Sequence, residues 1–409
     1  MSSDSFGFWV PGRIEVLGKH TDYGGGRSLL CAIERGILVV ATPRSNAIVR
    51  VRDANSGEAA DLELSPNVVS APGHWSNYAI TVARRIATNF SGPLRGADIV
   101  FASDIPFAAG ASSSSALVVA IFLALSAVND LASRPEYQAN ICTQEDLAGY
   151  LGCVENGLDF KSLHGNVGVG TFGGSEDHTA ILCAQPDSVV QYSFNPVTFE
   201  RAIAIPAGYA FVVGASGVVA EKTGAALEHY NDVSRRLSVG LECWRKATGR
   251  NDVSMGAAMT SSANAHELIR NVLMASANTE YSAESLTERF DQFYAESSEI
   301  IPAAADALSR GDLVAFGELV ARSQRGAERG LKNQIPETIT LVREAREHGA
   351  VAASAFGAGF GGSVWALVDS SSAESFRRSW ADAYRKTFPA QADRSVFFVT
   401  RAGPPATSL

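Results

Sequence analysis

From residue 6 to about residue 102 the apolar positions come in short β-branched runs separated by Gly, Pro, Asn and Asp. This spacing predicts strands over 6–10, 28–33, 36–41, 47–52 and 97–102. One helical pattern interrupts them near 76–89. At Ser112 the pattern changes to an apolar helix running to about residue 129. A second helix, capped by Thr143 with Glu145 and Asp146 in its first turn, reaches Glu155. After a glycine-rich stretch over 165–174, strands return near 180–183, 189–194 and 209–213. Helical periodicity then dominates from about 220 to 347, broken at Gly311 and near 333–336. Strands at 351–355 and 363–368, a helix over 373–387 and a strand at 395–400 close the chain. The reading is α+β with two sheet-and-helix domains, 1–205 and 206–409.

Three loops stand out against this background. The first, Pro11 to Gly26, crowds Arg13, Glu15, Lys19, His20 and Asp22 between glycines, after one apolar run and before another. It reads as a ligand-binding loop between two strands, the alternative being a solvated glycine-rich turn. The second, Asp104 to Ala116, places Gly110 and four serines, Ser112 to Ser115, between a strand and the start of a helix. Free N–H groups, the positive end of the helix dipole and small side chains make that a cradle for phosphates, where a plain helix cap would need one serine. It is not a Walker A loop, since Gly-Lys-Ser/Thr is missing. The third, Ala355 to Ser363, is a glycine string between two predicted strands, weak evidence on its own.

Composition narrows the possibilities. With 409 residues and 46% hydrophobic content, each domain can have its own core. A net charge of −9, a pI near 5.4 and the lack of a polybasic block argue against a nucleic-acid partner. No apolar stretch is long enough for a membrane span, and residues 1–5 do not open a signal peptide, so the expected address is cytoplasmic with no membrane partner. Five scattered cysteines form no ligand pattern and read as reduced.

The three loops, in this order, resemble the motifs of the GHMP kinase superfamily, most closely its galactokinase branch. Gly12, Arg13, Gly18, His20, Thr21, Asp22 and Tyr23 match the first motif. Pro106, Gly110, Ser112, Ser113 and Ser114 match the second, with Ala108 and Ala111 replacing Gly and Leu. Gly357-Ala-Gly-Phe-Gly-Gly362 matches the third. Trp75-Ser76-Asn77-Tyr78 is similar to a family segment near the adenine. The resemblance implies a two-domain GHMP kinase fold: an N-terminal mixed sheet with helices, ribosomal protein S5 domain 2-like, and a C-terminal helix-rich α+β sandwich.

It also implies chemistry. ATP would be bound by Trp75, Gly110, Ser112, Ser113, Ser114, Gly357 and Gly359, and Mg²⁺ by Ser114 and Glu155. Asp177 would orient or accept the proton of a sugar hydroxyl, with Arg13 stabilising that carboxylate and the transferring phosphoryl group. His20, Asp22, Gly174 and Tyr230 would bind the sugar. An insertion around 157–170 separates Glu155 from Asp177 relative to the family. Two residues depart from the galactokinase pattern: Glu15 stands for Asn, and Lys19 for a Glu that contacts an outer sugar hydroxyl. Either Lys19 faces an acidic sugar such as galacturonate or glucuronate, or Glu15 and Lys19 compensate each other around a neutral-hexose pocket. The leading expectation is an ATP-dependent kinase for the anomeric hydroxyl of galactose or a close relative, acting as a monomer or weak homodimer. The rivals are a non-catalytic sugar sensor and a kinase for a substrate such as mevalonate or homoserine, which fits the first loop less well.

Overall fold

The structure, a computed structural model, describes residues 5–70, 73–106, 110–218, 224–277 and 280–409. Strands β1 (Phe6–Leu17), β2 (Arg27–Pro43), β3 (Ile48–Asp53), β4 (Ala59–Glu63), β5 (Ala97–Ser103), β6 (Ser188–Ser193) and β7 (Thr198–Ala204) build the first sheet. Strand β2 is long enough to serve two neighbours: Arg27 to Leu30 pair with β6, while Ile37 to Pro43 pair with β5. All pairings are antiparallel except β3 with β5. The second sheet has the order β11-β8-β10-β9 and is antiparallel throughout, from β8 (Tyr209–Ala215), β9 (Ala352–Phe356), β10 (Ser363–Asp369) and β11 (Val396–Thr400). The chain end then returns to the first sheet, where β12 (Ala402–Gly403) pairs with β2 and β13 (Thr407–Ser408) with β1. β7 ends at Ala204 and β8 begins at Tyr209, while residues 402–408 pair with the first sheet.

The helix Ser113–Asn129 is apolar on all sides because it is enclosed on all sides. Val118, Ile121, Phe122 and Leu125 are fully or nearly fully buried between the first sheet and its neighbouring helices. Each such side chain contributes about 1.5–3 kcal/mol by leaving water. Helices Leu313–Gly326, Pro336–Glu347 and Ala373–Thr387 pack on the second sheet. A separate apolar cluster around Trp244, Phe290 and Phe293 joins the helices between residues 237 and 293. The expected cap holds, since Thr143 Oγ1 accepts a hydrogen bond from Asp146 N–H at 3.1 Å. The break at Gly311 also holds, with that residue at φ 69° between two helices.

Two local expectations fail. Residues 180–183 are not a strand but the end of the helix Glu176–Cys183, because a short fully buried apolar run suits either element and here the first turn carries Glu176 and Asp177. The first polar loop is also shorter than expected. β1 continues through Arg13 and Glu15 to Leu17, with register shifts near both residues, and the loop proper spans 18–26. The Ala108 position lies outside the described residues.

Candidate active site

Because Arg13 and Glu15 sit on β1 two residues apart, they share one face of the strand, and the site grows from that face. The Arg13 guanidinium donates from Nε to Asp177 Oδ1 at 2.7 Å, and Nη2 reaches the same oxygen at 2.6 Å. Its Nη1 donates to the Gly110 carbonyl at 2.7 Å. Strand β1 is thereby tied to the helix bearing Asp177 and to the serine loop at once. Glu15 reaches the third loop, accepting a hydrogen bond from Gly357 N–H at 3.2 Å. Two side chains of one strand thus hold the serine loop, the third loop and the Asp177 helix together.

They surround a cavity of about 790 Å³. At one end lie Trp75, Tyr78 and Phe101, with Asn55 and Ser103 beside them. Trp75 meets Phe101 edge-on at 5.9 Å, and its buried indole N–H has no hydrogen-bond partner among the described residues. An apolar slot walled by aromatic rings suits a flat heterocycle. In the middle, Gly110, Ser112, Ser113 and Ser114 line the wall. Ser112 caps the long helix at φ 56°, in the left-handed region, and its buried hydroxyl likewise has no partner among the described residues.

The serine that reaches the acidic residues is Ser115, one position beyond the expected Ser114. Its Oγ donates to Glu155 Oε2 at 2.9 Å and lies 3.3 Å from Asp177 Oδ2. His178 Nε2 lies 3.1 Å from Glu155 Oε2. Among the described residues no three His, Cys, Asp or Glu side chains could hold a metal ion by themselves. The two carboxylates meeting at one hydroxyl fit a magnesium ion that shares its coordination with nucleotide phosphates, since such an ion takes one or two protein carboxylates.

At the far end the loop 18–26 presents His20 and Asp22. Gly18, at φ 122°, lies so close to Ser28 that a Cβ would stand 2.7 Å from its Cα. His20 itself has a left-handed φ of 58° and is held from both sides: Nδ1 lies 3.0 Å from Tyr23 Oη and Nε2 lies 3.0 Å from the Ala358 carbonyl. Asp22 Oδ2 accepts a hydrogen bond from Glu176 N–H at 3.1 Å. Gly174 packs on that carboxylate, where a Cβ would come within 2.4 Å of Oδ2. Tyr230 closes the wall, its ring 5.3 Å from the His20 ring. Gly357 and Ala358 line the cavity, whereas Gly359 packs against Asn333 instead.

Lys19 does not line the cavity. The residue is 1% exposed, and its ammonium donates to Ser354 Oγ at 2.8 Å and to Ser323 Oγ at 3.4 Å, in the C-terminal half. Ser323 in turn donates to Glu296 Oε1 at 2.8 Å, and the same oxygen accepts Gly18 N–H. Lys19 therefore braces the loop from behind, and the basis for an acidic substrate disappears with it.

Burial and mutual repulsion shape the ionisation of this acid-rich site. Burial pulls the Arg13 pKa down, but Asp177, Glu15 and Glu176 outweigh it and the net shift is upward, so Arg13 stays charged. Burial raises Glu176 well above the ordinary range, with Glu15, Asp22 and Asp177 adding to it. Asp22 is raised by burial against the pull of the Glu176 N–H. Glu15 is raised to about 7 by burial, opposed by Lys19 and then Arg13.

Several participants escaped the sequence reading. Ser115 stood inside the serine run and only its helical phase was needed. His178 and Glu176 flank Asp177. Arg289, whose Nη2 donates to the His20 carbonyl at 2.6 Å and to Tyr23 Oη at 3.1 Å, gave no local signal at all.

The chain matches three family models: the galactokinase galactose-binding signature over residues 2–43, the GHMP kinases N terminal domain over 77–173 and the GHMP kinases C terminal over 304–386. A galactokinase of Roseiflexus sp. (strain RS-1) is 30% identical over 379 residues, covering 92% of this chain and 86% of that protein. One of Chloroflexus aggregans is 29% identical over 368 residues, covering 90% and 85%. The crystal structure of Lactococcus lactis galactokinase complexed with galactose superimposes with a TM-score of 0.79 at 23% identity, over 100% of this chain and 96% of that one. The Methanococcus jannaschii mevalonate kinase shares the fold less closely, at 0.60 and 13% identity over 99% of this chain and 100% of that one. With both kinase domains present and the galactose-binding signature lying on β1 and β2, where Arg13, His20 and Asp22 converge, the chain belongs to the galactokinase family of the GHMP kinases.

Proposed function

We propose that this protein transfers the γ-phosphoryl group of ATP to the anomeric hydroxyl of galactose. The observation that carries the reading is the Arg13–Asp177 pair, which sits between the serine-lined wall and the His20–Asp22 end of one cavity. Its curated relatives are galactokinases, and the structure that superimposes at 0.79 was solved with galactose.

In the proposed reaction the adenine occupies the slot at Trp75, and the phosphates lie along Gly110 to Ser114 at the helix N-terminus. Gly357 approaches from the third loop. Glu155 and Ser115, with Ser114 beside them, would hold Mg²⁺, which neutralises phosphate charge when bound. His20, Asp22 and the backbone at Gly174 take sugar hydroxyls, and Tyr230 closes over them. The anomeric oxygen attacks the γ-phosphorus as its proton passes to the Asp177 carboxylate, and ADP leaves with the electron pair of the broken P–O bond. Arg13 keeps Asp177 oriented, and its fixed positive charge favours the charge developing on the phosphoryl oxygens.

The monomer is the working unit of this reading, since one chain supplies every residue named. We propose a cytoplasmic address, where ATP is supplied. Among the described residues no helix is long and apolar enough to cross a membrane. The test is galactose-dependent ADP release with galactose 1-phosphate as product. No turnover of galactose by the folded protein, with ATP and Mg²⁺ present, would overturn the reading in favour of a sugar-binding sensor.

A further inference from the structure

Arg289, on the helix Ala283–Tyr294, is fully buried beside the loop 18–26. Its guanidinium donates from Nη2 to the His20 carbonyl at 2.6 Å and to Tyr23 Oη at 3.1 Å. From Nε it reaches the Val233 carbonyl at 3.3 Å, and from Nη1 Gln292 Oε1 at 2.5 Å. Val233 lies on the helix Gly224–Thr248, three residues past Tyr230, so one side chain ties together two walls of the sugar end. None of these four acceptors is a carboxylate. A buried cation held by neutral oxygens is a costly way to fill a core, because no opposite charge offsets its desolvation.

The contacts form a chain with two fixed ends. An arginine can only donate and a backbone carbonyl can only accept, and these ends set the direction of the hydrogen bonds between them. Tyr23 Oη accepts from Arg289 Nη2, which leaves its own hydrogen for His20 Nδ1 at 3.0 Å. His20 Nε2 faces the Ala358 carbonyl at 3.0 Å and must carry the ring's hydrogen there. Burial raises the Tyr23 phenol to about 12, against the pull of Arg289, so its hydrogen is present at neutral pH. His20 also has a left-handed φ of 58°, a conformation that persists only where the surroundings hold it, and the Arg289 bond to its carbonyl does so. We propose that Arg289 is a positioning residue for the sugar: through Tyr23 it keeps His20 neutral with its hydrogen on Nε2, and through the His20 carbonyl it fixes the backbone that sets the ring in the cavity wall. The inference rests on the reading of the substrate as galactose. In that reading His20 offers a donor and Asp22 an acceptor, a pair that matches sugar hydroxyls, each of which donates and accepts. A hydroxyl that takes the Nε2–H exchanges one acceptor, the Ala358 carbonyl, for another.

The test has a spectroscopic arm without sugar and a kinetic arm with it. In nitrogen NMR of the wild type with isotope-labelled histidine, His20 should show a protonated Nε2 and an unprotonated Nδ1 at neutral pH, and its Nδ1 resonance should move in Tyr23→Phe. A hydrogen on Nδ1, or an Nδ1 resonance that does not respond to loss of the phenol, would overturn the proposal. In the kinetic arm, Arg289→Lys and Tyr23→Phe should each raise the KM for galactose about tenfold, with the KM for ATP within about threefold of wild type. In a His20→Ala background Tyr23→Phe should cost less than about threefold, because it acts through the ring. An equal penalty with and without the ring would overturn the proposal, as would a matching rise in both KM values. If Arg289→Lys fails to fold, Tyr23→Phe carries both arms, since it leaves the guanidinium and its bonds to His20 and Val233 in place. Failure of the wild type to phosphorylate galactose at all would instead overturn the parent reading, while the His20 tautomer, measured without sugar, still decides this one.

Discussion

Arg13 and Asp177, 164 positions apart in the chain, meet through two guanidinium nitrogens on one carboxylate oxygen, at 2.7 and 2.6 Å. The third nitrogen of the same group holds the Gly110 carbonyl. One arginine thus ties the residue proposed to receive the proton to the loop proposed to bind phosphate. Asp177→Asn keeps the shape but loses the base. We expect kcat to fall about 10²- to 10⁴-fold, with KM for galactose and ATP within about threefold of wild type, as measured by coupled ADP release.

Arg13→Lys separates charge from geometry. A single ammonium cannot meet Asp177 and the Gly110 carbonyl in the fork that the guanidinium makes. A loss of about 10² in kcat is expected while a positive charge remains. Activity within a few-fold of wild type would mean that charge alone suffices.

Gly174 offers a purely steric test on the sugar side. A Cβ there would stand 2.4 Å from Asp22 Oδ2 and 2.6 Å from its Cγ, so Gly174→Ala must push that carboxylate away. The KM for galactose should rise about tenfold with the KM for ATP unchanged, since a displaced polar contact costs about 1–2 kcal/mol. Titration of galactose at saturating ATP, and the reverse, separates the two.

How much of this was legible beforehand follows from where each partner lies in the chain. Arg13, His20, Asp22 and Asp177 stand out because polar side chains among glycines have few structural uses, and because they keep a motif's local spacing. Lys19 stands out just as clearly, but its partners Ser323 and Ser354 lie about 300 residues away and nothing local marks them. Ser115 gives no separate signal, because a run of four serines does not reveal its phase until the helix start is fixed. Strands β12 and β13, each two residues long, carry no periodicity to read. The run at 180–183 failed for the reason already given, that four buried apolar residues fit either element.

The metal side is tested by Glu155. Its Oε2 accepts the Ser115 hydroxyl at 2.9 Å with His178 Nε2 3.1 Å away, so Glu155→Gln preserves size while removing the charge. The Mg²⁺ concentration for half-maximal activity should rise about 10- to 100-fold, and high Mg²⁺ should restore part of the rate. A variant whose Mg²⁺ dependence matches the wild type would remove Glu155 from the ligand set.

Glu15 links stability to pH. Its folded-state pKa is raised from 4.5 to about 7, mainly by burial. The folded protein therefore holds a proton that the unfolded chain releases near 4.5. The stability associated with that proton is complete below about pH 4.5 and is lost as pH rises through 7, an effect on the order of 3 kcal/mol. Glu15→Gln has no such proton to lose. In urea unfolding without ligand, its stability relative to wild type should climb between pH 5 and 8 and level off above. At pH 8 the variant should be the more stable protein. A pH-independent stability difference would mean that Glu15 keeps an ordinary pKa in the folded state and that its burial is relieved by a donor within the protein.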